Sequence, residues 1–353
     1  MRLADSSVRK RNAEEEYGED GLCFCSARDA VAEILPRSAG KILFAADSVS
    51  FPVFAAFGRN PRVLAVVEEE DALPLFSMPD GVGAVVAAGG EKLLRAARFF
   101  ARIRRIPCYL FPRFADLRGV YEGEGQVRLG RKSAPMPLAD GEVFFDERLL
   151  RDSLGDGYSA LLLSRLAGFE SRALRALGGK AESVPEKACA LPCDYAGIVA
   201  ENAANRCAEA AGTPAGEGAA LAELYRGDGA ELPCWRAYRA LTAVYHAFFK
   251  RGVPRRYFVP DYALRAERAG VPRWTVGVPS REEYALRAMA LERTRAAFLA
   301  ETSAEVAEFP VHRRAVFALT GREPPAGDGS LLALLPERRT DGLCAVIRDF
   351  GLL

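Results

Sequence analysis

Along residues 1–150, short apolar runs alternate with amphipathic stretches. Lys41–Ala46 (KILFAA), Arg62–Val67 (RVLAVV), Gly83–Ala88 (GAVVAA), Pro107–Phe111 (PCYLF) and Glu142–Phe145 (EVFF) are bounded by Gly, Pro or charge. Uninterrupted runs of this kind predict parallel strands covered on both faces. Between the third and fourth, Glu91–Ile103 has helical periodicity. Leu93, Leu94, Ala97, Phe100 and Ala101 fall on one side, and Arg95, Arg98, Arg102 and Arg105 on another, read as a solvated face. Val120–Leu129 alternates around central glycines and predicts a hairpin.

From about Asp152 the strand-like runs cease. Tyr158–Leu166, Tyr195–Ala211, Trp235–Lys250, Arg281–Ala300 and His312–Leu319 fit helices, separated by Gly/Pro-rich breaks at Gly212–Gly218 and Glu323–Gly329. The expected fold class is α/β: an N-terminal Rossmann-like parallel-sheet domain over 1–152, then an all-helical domain over 153–353.

Composition narrows the function classes. Forty-eight basic and 47 acidic residues leave a net charge of +1, so nothing pulls the whole chain toward nucleic acid or an anionic membrane. The arginine stripe lacks an aromatic stacking platform and does not change this. The charged Met1–Asp20 segment has no apolar core of a secretory signal, and no run reaches the ~20 apolar residues of a membrane span, so the expected location is the cytoplasm. The eight cysteines are expected as thiols. The close pairs, Cys23/Cys25 and Cys189/Cys193, lack zinc-site spacing. There are two histidines, His246 and His312, too few for an ordinary histidine-rich metal centre.

The order of features in the middle of the chain carries a resemblance. Gly83–Gly90 is a strand entering a small-residue turn and helix. Ile106-Pro107, a strand and Pro112 follow, then Gly119, Lys132 and Pro135, the acidic stretch Asp140–Asp146, and Leu154-Gly155-Asp156 opening a long helix. This order, with the ending Leu335-Pro336-Glu337 to Leu353 as a final helix, resembles the superfamily of dehydroquinate synthase, iron-containing alcohol dehydrogenases and glycerol-1-phosphate dehydrogenase. It is most similar to the last branch. The resemblance implies the dehydroquinate synthase-like fold, NAD(P) as cofactor, and zinc or iron.

Residue by residue, the motifs depart from that family. Its glycine-rich turn cradles a diphosphate on free N–H groups and a helix dipole. Here the turn is Ala88-Gly89-Gly90-Glu91. Gly89 and Gly90 remain as cofactor-binding candidates, while Glu91 replaces Ser/Thr, and Leu94 and Ala97 replace the family's Asp and Lys. The turn reads first as an ordinary strand–turn–helix with a glutamate in its first turn. Arg113 and Arg118 replace a neutral and an acidic residue, creating anion-binding candidates or solvated arginines. Asp156 matches the first metal ligand, and also suits a helix N-cap. Counting back from Gly270 places the family's His-Gly pair at Arg251-Gly252, and a guanidinium cannot ligate a cation. His246 is a weak alternative ligand on the polar side of its helix. His312 is read as lying near a helix start.

The expectation is a divergent member with degenerate metal and cofactor motifs, without the family's metal-dependent dehydrogenase activity. A second reading is a metal-independent enzyme or binder of a phosphorylated or carboxylated small molecule, using Arg113, Arg118, Lys132 and Arg251. A third is an active NAD(P)-dependent polyol-phosphate oxidoreductase with shifted ligands. The expected partner is a small anionic molecule, with no nucleic acid or membrane partner and with room for a homo-oligomer.

Overall fold

A computed structural model describes residues 22–178, 190–210, 216–227, 229–252, 280–325 and 342–350. The chain divides into two compact units, Met1–Gly157 with Pro192–Thr213, and Tyr158–Leu191 with Pro214–Leu353.

The first unit is built on a parallel sheet of six strands: β1 (Cys23–Phe24), β2 (Lys41–Ala46), β3 (Val63–Val67), β4 (Val82–Gly89), β5 (Cys108–Pro112) and β8 (Glu142–Phe145), in the order β1-β8-β5-β4-β2-β3. The strands expected from the apolar runs all form. In β2 and β4, Ile42, Phe44, Val85 and Val86 are fully buried, as the uninterrupted runs require of strands covered on both faces. One side of the core is a phenylalanine cluster: Phe44 meets Phe51, Phe54 and Phe57, and Phe54 meets Phe111.

Helix α1 (Ala27–Arg37) is capped by Ser26, whose hydroxyl accepts from the Asp29 N–H. Its first amide, on Ala27, donates to the buried Asp146 carboxylate at 2.6 Å. Asp146 also accepts from the Arg148 amide at 2.8 Å, so one acid from the expected acidic stretch holds two helix starts.

Helix α2 (Glu91–Arg104) follows β4 and ends on Arg105 in the left-handed conformation at φ 54°. Its arginine face departs from the expectation of a solvated stripe. Arg98 is only 1% exposed, and its guanidinium donates to the carbonyls of Ala139, Gly119 and Glu122 at 2.7, 2.8 and 2.6 Å. Arg102 and Arg105 are exposed.

The hairpin also differs. Val120–Leu129 supplies one strand, β6 (Glu124–Leu129), and its partner is β7 (Lys132–Pro137). Pro135 and Pro137 hide the second strand from sequence reading, yet are tolerated in a two-stranded ribbon where every strand is an edge.

Helix α4 (Tyr195–Ala210) belongs to the first unit, where Tyr195 packs edge-on against Phe24. Helix α3 (Leu154–Leu177) starts at the division between the units.

The second unit is helical throughout its described residues. It contains most of α3, with α5 (Gly216–Gly227), α6 (Pro233–Arg251), α7 (Arg281–Thr320) and α8 (Leu343–Asp349). The expected stripe Trp235, Tyr238, Leu241, Tyr245 and Phe248 is buried along α6. Phe169, Tyr245, Phe249 and Phe298 join in one aromatic cluster.

Helix α5 begins inside the stretch read as a break. Its Gly218 lets the backbone approach α3, since a Cβ there would lie 2.6 Å from Leu163. The two segments expected as Arg281–Ala300 and His312–Leu319 are a single helix, α7. It starts at a full capping box, Ser280 with Glu283, and runs through Pro310.

Most of the Glu323–Gly329 break, most of Gly212–Gly218, Gly270, Cys189 and residues 335–341 of the expected final helix lie outside the described residues. Among the described residues, no helix is long and apolar enough to cross a membrane.

Candidate functional site

The turn between β4 and α2 was the candidate diphosphate cradle. Gly89 is buried and Gly90 half-buried at the N-cap of α2. The cradle is filled from within the chain. Asp47, at the end of β2, is 1% exposed, and its Oδ2 accepts from the Gly90 N–H at 3.1 Å and from Arg113 Nε at 2.8 Å. Its Oδ1 accepts from the Ser50 N–H at 2.7 Å.

A Cβ on Gly89 would sit 2.8 Å from Asp47 Oδ2, so glycine here makes room for the chain's own carboxylate. Arg113 also lies over the Phe114 ring, 4.5 Å from its centre. Glu91 turns away into an ion pair with Arg95 at 2.5 Å, and Arg95 is shared with Glu122 at 2.6 Å.

Pairing inside the unit also governs Arg118. Its Nε lies 3.2 Å from Asp116, with 10% and 5% of the two side chains exposed. Asp116 and Asp156 place carboxylate oxygens within 4.8 Å of one another. Arg206 of α4 donates to the Asp116 carbonyl at 2.8 Å, and Asn202 to the Gly157 carbonyl at 3.0 Å, fixing this corner. Asp47 and Asp116 escaped sequence reading because a single acid at a strand end or in a loop has no local signature. Lys132 is exposed on the hairpin.

The histidines belong to the second unit. His312 is not near a helix start: it lies deep within α7, 5% exposed. Its Nδ1 is 2.8 Å from the Tyr158 hydroxyl, and its Nε2 is 3.2 Å from both Arg165 and Glu308. An arginine can only donate, so a neutral ring with Nδ1 protonated satisfies both Tyr158 and Arg165. Burial, then the nearby Arg165 charge, lowers the His312 pKa.

The network continues to Glu305, which accepts from Arg165 and from the Tyr238 hydroxyl, each at 2.5 Å. Burial first, then Glu305, raises the Tyr238 hydroxyl pKa.

His246 is half-buried on α6, with no hydrogen-bond partner on its Nδ1 among the described residues. Arg251 is exposed in the last turn of α6, where a cation complements the helix dipole. The carbonyls just before it, on Phe249 and Lys250, are capped by Arg295 at 2.8 and 2.6 Å. The candidates are thus split: Gly89, Gly90 and Arg113 meet around Asp47, Arg118 and Asp156 meet around Asp116, and Lys132, His246 and Arg251 join neither group.

No family model matches the chain, and no curated protein matches it. Solved structures do. An iron-containing alcohol dehydrogenase from Corynebacterium glutamicum is 14% identical, over 89% of this chain and 93% of that one, with a TM-score of 0.43. A glycerol dehydrogenase from Schizosaccharomyces pombe is 14% identical, over 86% and 92%, with a TM-score of 0.43. A 2-deoxy-scyllo-inosose synthase, solved with carbaglucose-6-phosphate, NAD+ and Co2+, is 15% identical, over 64% and 73%, with a TM-score of 0.44.

The residues of the turn do not fit the diphosphate that the resemblance implies. A diphosphate at the Gly90 amide would meet the Asp47 carboxylate there, like charge against like. For the metal, Asp116 and Asp156 offer oxygens next to Arg118. Both ring nitrogens of His312 are engaged in the helical core.

Proposed function

We propose that this chain keeps a dehydrogenase-like framework without the family's metal-dependent dehydrogenase chemistry. One observation carries the reading: the Asp47 carboxylate takes the helix N-terminal amide and the arginine that an incoming diphosphate would need. A buried, paired carboxylate at that position opposes a second anion electrostatically. The replacement of the family's ligand histidine by Arg251 and the commitment of His312 to Tyr158 and Arg165 support the same reading. One loss of catalytic function in an ancestor accounts for both changes, because the parts of a catalytic unit are retained or lost together.

The test is a thermal-shift screen of the full chain with NAD+, NADP+ and divalent metals, alongside metal analysis of the purified protein. The expected result is no stabilisation by either nucleotide and no stoichiometric metal. Stabilisation by a nicotinamide nucleotide together with stoichiometric zinc or iron overturns the proposal and restores the reading of an active oxidoreductase with shifted ligands.

A further inference from the structure

The edge strand β1 brings two thiols to one face of the sheet. Cys23 and Cys25 are separated by one residue, and alternate side chains of an extended chain point the same way. Pairing with β8 keeps the chain extended here. Cys23 lies opposite Phe144 and Phe24 opposite Phe145, and the Cys25 N–H donates to the Phe145 carbonyl at 3.1 Å. Both cysteines pack against the apolar cluster that includes Ala27, Ala30 and Ile34 of α1, Cys23 buried and Cys25 half-buried. The Cys23 thiol donates to the Cys25 sulfur at 3.6 Å.

That spacing selects among the things a thiol pair can do. A disulfide needs its Cβ atoms ~3.8 Å apart. Alternate residues of a strand hold theirs ~6.5 Å apart, so closing the bond would bend β1 away from β8. A shared metal ion asks for no such movement. Two sulfurs bound ~2.3 Å from one tetrahedral ion stand ~3.8 Å apart, close to the 3.6 Å between these two. The electrostatics agree with the geometry. The Cys23 hydrogen bond, then burial, then the charges of Cys23, Glu33 and Asp29 hold the Cys25 thiol well above the usual thiol range. Asp29 is tied to the Ser26 hydroxyl and Glu33 to Arg37, so both acids are held beside the pair. Two bare thiolates are disfavoured in such a place, and a cation standing where their protons were relieves the repulsion.

We infer that Cys23 and Cys25 chelate one thiophilic divalent metal ion of the zinc and cadmium kind. Two sulfur–metal bonds form as two S–H bonds break, two protons leave to solvent, and no oxidation state changes. The half-buried Cys25 is the point of entry. With two protein ligands the site is open, its remaining positions left to water, unlike the closed four-ligand centres of structural zinc. It is therefore a site of exchange, not one that keeps its ion through purification. The inference goes beyond the proposal for the β4–α2 turn and shares no residue with it.

Cd2+ is the probe, titrated into the reduced full chain and followed by thiolate-to-cadmium charge-transfer absorption in the ultraviolet. The expected result is one saturable site per chain with the intensity of two thiolates. Cys25→Ser is expected to weaken it by about 100-fold or more, because losing a ligand costs beyond the ~10–100-fold of disturbing the groups behind one. Cys23→Ala should do the same, and an unchanged melting temperature in metal-free buffer shows which of the two variants keeps the fold. Cys193 and Cys207 are exposed and are the competing thiols. A chain with Cys189→Ser, Cys193→Ser and Cys207→Ser together is expected to bind as wild type does, with Cd2+ protecting Cys25 from alkylation. No saturable band, equal affinity in wild type and Cys25→Ser, or loss of the site in the triple variant overturns the inference. Metal carried by wild type and by Cys25→Ser alike, with stabilisation by a nicotinamide nucleotide, overturns the proposal for the turn instead, so the two fail separately.

Discussion

Arg113 in the α/β unit and Arg314 in the helical unit are the same side chain in opposite circumstances. Arg113 stands at a helix N-terminus, where an anion would be expected, but the buried Asp47 already meets it at 2.8 Å. Arg314 stands exposed on α7, with no ion-pair partner among the described residues. The comparison teaches that a basic residue near a glycine turn is a poor guide to ligand binding until its carboxylates have been counted. In the first unit Asp47, Asp116, Glu91 and Glu122 answer Arg113, Arg118 and Arg95, while Arg98 is consumed by carbonyls.

The sharpest way to break this comparison is to remove an arginine that the fold consumes. Arg98→Met keeps the length of the side chain but leaves one buried and two half-buried carbonyls without their donor. Each orphaned group costs ~1–3 kcal/mol, so a loss of about 4 kcal/mol is expected in denaturant unfolding. A loss below about 1 kcal/mol would show that Arg98 is as dispensable as a surface arginine. Next in size is Asp47→Ala, expected to cost about 2 kcal/mol because it strands the Gly90 and Ser50 amides and Arg113. If Asp47 occupies an anion position, millimolar phosphate should recover part of that loss in Asp47→Ala. It should recover none in Asp47→Ala combined with Arg113→Ala. Equal recovery in both variants would mean that the turn has no anion site to fill.

These two residues also mark where sequence reading succeeded and where it stopped. The five strands were legible because a strand covered on both faces must be apolar along its whole length, and that pattern is local. The helix at Glu91 was legible for the same reason, but the fate of Arg98 was not. Its three carbonyl partners lie at 119, 122 and 139, and only the loop's path brings them to the helix. Asp47 and Gly90 are 43 positions apart, so nothing near either one announces the bond between them. In the helical unit, Pro310 suggested a helix boundary by ordinary propensity, but packing carried α7 through it. His312, read as lying near a helix start, therefore lies instead in a core network.

That network supplies a pH test of how far the helical unit resembles the other. Burial and Arg165 hold the folded His312 pKa below its ordinary value, with Tyr158, Glu305 and Glu308 as its other polar neighbours. The unfolded chain takes up this proton near pH ~6.5, whereas the folded chain resists it. The unfolded state then binds more protons, so the contribution is present above pH ~6.5 and is lost as pH falls below it. Wild type should lose more stability than His312→Gln between neutral and mildly acidic pH, measured as denaturant midpoints. Equal losses would mean that the ring titrates in the folded protein as it does in the unfolded chain.

The smallest expected effect is the most discriminating. Arg314→Gln should leave stability within ~0.5 kcal/mol of wild type, as for a surface substitution that breaks no bond. This is the converse of Arg98, where the charge is inseparable from the fold. If Arg314→Gln instead raises stability, Arg314 is repelled by neighbouring positive charge in the folded protein. If it lowers stability by more than ~1 kcal/mol, Arg314 is bound into the fold like Arg98, and the contrast between the two units collapses.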